Sequence, residues 1–208
     1  MISKLGPGQR ALAIGAHPDD TEFGCYGSLQ RFDHRSVLVL SAGEHGGPPD
    51  ERRQEAADAA EVVGSKLTLL DLPDTAIASG PAIAAIRAEI AGFAPDVVFC
   101  PSRQDDHQDH ATVAHACFIA TRAFPGLVLG YLTPSAVGRF APHVIVGLGE
   151  DEWELKVKAL AAHRSQQHRS YLASEYVETT ARYWAQQALP GEIRAEPFEL
   201  VRWVLPAQ

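Results

Sequence analysis

Apolar residues gather along this chain in short continuous runs: Ala11–Ala16, Ser36–Leu40, Leu67–Leu70, Asp96–Cys100, Leu127–Leu132 and His143–Leu148. Most are β-branched or Leu-rich and do not alternate with polar residues. That is the pattern of strands covered on both faces, as in a parallel sheet. Helical periodicity fills the gaps between the first runs. Residues 22–32 follow Asp20-Thr21, a reasonable helix start. Residues 51–63, rich in Ala, Glu and Arg, stop at Gly64, a residue suited to the position after a helix. In 81–92, Ile83, Ile86 and Ile90 mark one face and Pro81 suits the first turn. Residues 109–123 make a fourth helix. Strand and helix alternating four times predict an α/β fold with a doubly wound, mostly parallel sheet. The last third reads differently. A helix is predicted over 151–168, with Trp153, Val157 and Leu160 at helical spacing, and a second over roughly 170–188. Leu189-Pro190-Gly191 breaks it, and Phe198–Leu205 alternates as a final strand. No linker, low-complexity tract or repeat interrupts the chain, so residues 1–208 read as one domain.

Composition narrows the class of function. The 208 residues, 46% hydrophobic and 21% charged, suit a globular domain with a single sizeable core. A net charge of −8 disfavours nucleic acid or an anionic membrane surface as the main partner. No apolar run is long enough to span a bilayer, and Met1–Gly8 lacks the apolar centre of a signal peptide. Cys25, Cys100 and Cys117 show no pairing pattern, which favours a reducing cytoplasm. Cys100 and Cys117 read as small buried side chains. The expected partner is a small molecule; the oligomeric state is open, a homo-oligomer included.

The candidate chemistry lies in two His/Asp clusters, each placed just after a buried run. His17-Pro18-Asp19-Asp20 follows the first strand, and Asp105-Asp106-His107-Gln108-Asp109-His110 follows the fourth. In a doubly wound sheet, ligands bind beyond the carboxyl ends of the strands, where strand order reverses. In the order 3-2-1-4-5 that crevice lies between strands 1 and 4, which would bring the clusters together. His17, Asp20 and His110 then supply the three ligands of an open catalytic Zn²⁺ site. Asp19 stands beside the metal as a proton acceptor. His107 approaches as acid or oxyanion stabiliser, and Asp109 holds an imidazole in one tautomer. The plain alternative is that both clusters only cap the helices that follow them. A dinucleotide site fits poorly, because residues 15–20 lack the Gly-rich turn that receives a pyrophosphate.

Residues Ala16–Gly27 resemble the AHPDDxExGxGG signature of the LmbE-like, or PIG-L, zinc deacetylases, and His107-Gln108-Asp109-His110 resembles their HxDH motif, usually with Pro in place of Gln108. Arg52-Arg53-Gln54-Glu55 with Gly64 is similar to the family's RxxE…LG segment. Lys158 to Gln166, with His163-Arg164-Ser165-Gln166, is similar to its later K…HxSQ segment. The resemblance implies a Rossmann-like fold and hydrolysis of the N-acetyl group of an N-acetylglucosamine-type sugar or conjugate. It implies metal binding by His17, Asp20 and His110, a general base at Asp19, an acid or oxyanion-stabilising His107 supported by Asp109, and substrate binding by Arg52 in preference to Arg53. Tyr26 stands where the family has a small residue, and either packs or narrows the approach to the site. The same chemistry on another small amide, or a catalytically silent sugar- or metal-binding protein, are the alternatives. In the loop 41–47, Glu44 and His45 either touch substrate or are solvated. His143, His163 and His168 read as core or surface residues, Trp153, Trp184 and Trp203 as core or interface, and Arg87 and Glu89 as a solvated helix face.

Overall fold

The computed structural model describes residues 5–136, 138–188 and 191–204. In chain order the elements are β1 (Arg10–Gly15), α1 (Asp20–Leu29), β2 (His34–Val39), α2 (Pro49–Val62), β3 (Lys66–Leu69), α3 (Ser79–Phe93), β4 (Val97–Pro101), α4 (Gln108–Ala120), β5 (Leu127–Tyr131), β6 (Val144–Leu148), α5 (Glu150–Ala162), α6 (Ser174–Ala188) and β7 (Arg194–Trp203). Two single-turn 3-10 helices, Arg164–Gln166 and Ser170–Leu172, connect α5 to α6. One seven-stranded sheet runs in the order β3-β2-β1-β4-β5-β7-β6. Its first five strands are parallel, and β7 lies antiparallel between β5 and β6.

Alternate residues of the parallel strands feed two separate cores, which is why these strands are apolar throughout. Ala11, Ala13, Val37, Val39, Val97 and Phe99 face α1, α2 and α5 through Tyr26, Leu29, Ala59 and Ala159. Leu12, Ile14, Leu38, Val98 and Cys100 face α3 and α4 through Ala82, Ile86, Val113 and Cys117. The chain changes face after β3, when α3 carries it back across the sheet to β4 beside β1. The predicted doubly wound sheet and its 3-2-1-4-5 order are therefore present. Helix α1 lies so close to the sheet that a Cβ on Gly24 would overlap the Tyr131 ring.

A buried ion pair fastens that contact. Lys156 of α5 donates to Glu196 of β7 at 2.6 Å and to the carbonyls of Glu22 and Phe23. Glu196 in turn accepts the backbone N–H groups of Gly27 and Ser28 at 3.0 and 2.7 Å. The buried lysine is thus Lys156; Lys158, on which the family resemblance was drawn, is exposed.

Other details differ from expectation. The helix predicted over 151–168 ends at Ala162, and the one over 170–188 begins with a 3-10 turn. The final strand starts at Arg194 and not at Phe198. Glu89 is turned inward, where it accepts hydrogen bonds from Ser36 and Thr68, while Arg87 remains exposed. Tyr26 packs fully buried in the core beneath α1 and does not line an approach. Met1–Lys4, Leu189, Pro190 and Leu205 lie outside the described residues. Among the described residues no helix is long and apolar enough to cross a membrane.

Candidate active site

The carboxyl edge of the sheet carries a cavity of about 490 Å³. His17, Asp19 and Asp20 from the β1–α1 turn and His107 and His110 from the start of α4 line it. The walls come from Gly43, His45 and Gly46 after β2, Arg52 of α2, Asp74 and Thr75 after β3, Pro134 and Ser135 after β5, Gln166 and Tyr171 of the two 3-10 turns, and Arg169 between them. Sheet topology is what assembles it, since β1 and β4 are hydrogen-bonded neighbours.

The β1–α1 turn is tight and strained. Asp19 takes a left-handed conformation, φ 92° and ψ −22°, in which a non-glycine residue costs about 1–3 kcal/mol. Although Asp19 precedes the first residue of α1, its side chain makes no capping bond. Asp20 Oδ2 instead holds the turn by accepting the N–H groups of Ala16 and His17 at 2.9 and 2.8 Å. This rules out helix capping as a sufficient account of the Asp pair.

The two outermost histidines of the motifs are arranged alike. His110 Nε2 lies 3.1 Å from Asp20 Oδ1, and its Nδ1 is 2.8 Å from Asp105 Oδ2. His17 Nδ1 lies 3.7 Å from Asp20 Oδ2, and its Nε2 is 3.0 Å from both Asp109 Oδ2 and Asp74 Oδ1. Each imidazole therefore directs one nitrogen at the Asp20 carboxylate and fixes the other on an outer carboxylate. That outer bond orients a metal-binding histidine and raises its basicity. His107 stacks on His110 with ring centroids 4.5 Å apart, and its Nδ1 accepts the Asp109 N–H at 3.3 Å. In the neutral ring the proton then sits on Nε2.

Two groups of side chains bring donor atoms close enough to hold a metal ion: His17 with His107 and His110, and His17 with Asp74 and Asp109. In the second, the carboxylates are already engaged. Asp109 accepts the N–H groups of Thr75 and Ile77, and Asp74 accepts that of His45. They are built as supports for His17 Nε2. Asp20 belongs to neither group, although His17 Nδ1 and His110 Nε2 both face its carboxylate.

Burial and charge set the protonation of the group. Burial alone would lower the pKa of His17, but hydrogen bonds to Asp109 and Asp74 and the Asp20 charge raise it to about 9. Burial likewise would lower His110, but the Asp20 charge and the bonds to Asp105 and Asp20 raise it to about 10. Asp20 is buried, which disfavours its charge, yet His110 and His17 hold its carboxyl well below the usual range. The surrounding carboxylates thus favour protonated imidazoles at both positions. Asp19 is the contrasting group: burial, then the neighbouring Asp20 charge, push it up to about 6 against the pull of Arg52. His107 is lowered by burial and by the charges of His110 and His17.

Arg52 is buried, donates from Nη2 to the Pro18 carbonyl at 2.7 Å, and lies 3.7 Å from Asp19 Oδ2. A Cβ on Gly46 would collide with its Nη1, so the loop after β2 is shaped around it. Arg53 pairs with Asp71 away from the cavity. Glu44 accepts the Asp74 N–H, while His45 is exposed at the rim. His143 and His168 are exposed; His163 is fully buried, 3.2 Å from Glu22. Trp153 is in the core, Trp184 packs partly buried beside it, and Trp203 is exposed.

Sequence reasoning gave no role to Asp74, Asp105 or Tyr171. Asp105 stood within the quoted cluster, and Asp74 within a turn that follows a strand at the same sheet edge. Tyr171 carried no signal, because its 3-10 turn reads as ordinary helix.

The profile of the PIG-L family, described as GlcNAc-PI de-N-acetylase, matches residues 12–121, more than half of the chain. The chain belongs to the PIG-L family. The chain is also similar to the uncharacterized deacetylase YaiS of Escherichia coli K12, 33% identical over 178 residues, covering 79% of this chain and 96% of that protein. The conserved protein TT1542 of Thermus thermophilus superposes with a TM-score of 0.78 at 27% identity, covering 96% of this chain and 97% of that one. N,N'-diacetylchitobiose deacetylase of Pyrococcus horikoshii shares the fold with a TM-score of 0.76 at 22% identity, covering 92% and 83%. The protein is thus a deacetylase-family member. The matched span holds both His/Asp clusters, Arg52, Asp74 and Asp105, but not Ser135, His163, Gln166 or Tyr171.

Proposed function

We propose that this PIG-L protein is a zinc-dependent hydrolase that removes the N-acetyl group from an N-acetylglucosamine-type amino sugar or its conjugate. One observation carries the reading: two carboxylate-anchored imidazoles converge on Asp20 beside a second, independent carboxylate, Asp19, on one cavity. His17, Asp20 and His110 are the residues that would hold the metal. Zinc bound there would polarise the acetamide carbonyl and acidify a water molecule. Asp19, its carboxyl raised to about 6, accepts the proton of the attacking water. His107, neutral and with its proton on Nε2, donates to the oxygen that becomes negative or to the departing amine. Asp109 keeps His17 oriented, and Arg52 positions the sugar. The amino-sugar assignment draws on the family's description and on the chitobiose deacetylase that shares the fold. Three free, buried cysteines suit a reducing cytoplasm.

Metal analysis of the wild type and of His110→Ala, paired with detection of free amine from a panel of N-acetylglucosaminides, tests this directly. We expect stoichiometric zinc and turnover in the wild type and loss of both in the variant. Full metal occupancy in His110→Ala would refute the ligand assignment. Rapid cleavage of another amide with no action on glucosamine acetamides would refute the substrate class.

A further inference from the structure

The Asp19 carboxylate is gripped unevenly. The Tyr171 hydroxyl donates to Oδ2 at 3.4 Å, and Arg52 Nη2 lies 3.7 Å from that same oxygen. Oδ1 accepts no hydrogen bond among the described residues. Tyr171 sits on the second 3-10 turn, whose Leu172 is buried against the cluster of Phe23, Trp153 and Leu160. The phenol is thus carried by a fixed backbone, with two side-chain torsions to place it. Burial, with the charges of Asp19 and Asp20, pushes its pKa well above the ordinary value, so it stays a donor.

We propose that Tyr171 is a positioning residue: with Arg52 on the same oxygen, its hydroxyl fixes the Asp19 carboxylate so that Oδ1 is the atom left to take a proton. The catalytic half of this inference rests on the deacetylase reading. The physical need is clear from the side chain. The terminal torsion of an aspartate is broad and roughly two-fold, so a carboxylate without a firm donor samples many orientations. Arg52 alone, at 3.7 Å and already committed to the Pro18 carbonyl, is a loose restraint. A base that points away from the attacking water for most of its time loses rate, while the affinity for substrate is untouched.

Two measurements on the zinc-loaded protein decide the matter. In a thermal-unfolding cycle, Tyr171→Phe should lower the Tm of the wild type by about 2–4 °C, as the loss of one modest bond does in a chain of this size. It should have no such effect in Asp19→Gly, which removes the carboxylate and suits the left-handed backbone. In turnover of an N-acetylated amino sugar, Tyr171→Phe should lower kcat about ten- to a hundredfold with KM held. Equal Tm losses in the two backgrounds would overturn the link to Asp19. A raised KM at unchanged kcat would overturn the positioning role and make Tyr171 a substrate contact. If the wild type cleaves no N-acetyl amino sugar, the deacetylase reading fails by itself, and the unfolding cycle still decides whether Tyr171 holds Asp19.

Discussion

Asp19 is held in a left-handed conformation at the first turn of α1, and that backbone choice shapes how it can be tested. Asn and Asp tolerate this region far better than most residues, so Asp19→Asn keeps both the shape and the turn. What the variant loses is a group able to accept a proton. We expect kcat to fall by at least about 10²-fold with zinc retained, the usual worth of a general base. Near-wild-type turnover with the metal confirmed present would remove Asp19 from the mechanism. The residues with distinctive chemistry were legible in the sequence because His and Asp in close succession after an apolar run have few structural uses. Their supports were not. Asp105 binds His110 and also accepts the hydroxyls of Thr133 and Ser135 and the His107 N–H, yet the two hydroxyl partners depend on how the loop after β5 folds over it. Asp74 reaches His17 only because β3 ends at the same sheet edge as β1. Spacing along the chain carries no trace of either contact.

At the scale of elements, α1 is the part whose placement the site cannot lose, since it begins at Asp20. Lys156 and Glu196 hold it by intercepting its backbone groups. Lys156→Met leaves the Glu196 carboxylate buried without its countercharge, which costs about 3–5 kcal/mol. Adding Glu196→Gln should recover part of that loss, because the neutral amide oxygen still accepts an N–H from α1. Denaturant unfolding of the single and double variants checks both expectations; a double variant less stable than Lys156→Met would contradict the argument. The parallel half of the sheet was readable because strands buried on both faces are apolar throughout. The antiparallel end was not. The insertion of β7 between β5 and β6 joins segments far apart in sequence, and no local pattern encodes it. The break after Ala162 has a similar origin. Glu55 of α2 accepts both the N–H and the hydroxyl of Ser165, and Gln166 donates to the Gly46 carbonyl. These tertiary bonds override a helical periodicity that would otherwise run on.

Across the whole molecule, the site's protons tie stability to metal binding. Without metal, His17 and His110 have folded-state pKa values of about 9 and about 10, above the value near 6.5 that a histidine has in an unfolded chain. A raised pKa means the folded state binds the proton more tightly. The stabilisation is therefore complete below about pH 6.5 and is lost as pH rises through 9 and 10. The carboxylates behave oppositely. Asp20, Asp74, Asp105 and Asp109 are all held low, so their contribution is present above the ordinary carboxylate range and is lost on acidification. Asp19, raised to about 6, loses stability as pH climbs from the ordinary carboxylate range to that value, so the metal-free protein should be most stable toward the acid end of the window from about pH 4 to pH 6.5 and weaken on the alkaline side. Zinc offsets that slope, because the cation must displace the two imidazole protons before it binds. As those protons become easier to remove, affinity rises, and ligand binding to the folded state adds stability in proportion to its logarithm. The Tm gain from zinc, measured at fixed zinc and protein concentration in matched buffers, should grow steadily from pH 6.5 toward pH 9. Replacing His110 by Ala should flatten that dependence. A gain that is constant or shrinks over the interval would mean that the metal does not sit on His17 and His110, and that the convergence of their nitrogens on Asp20 serves the fold alone.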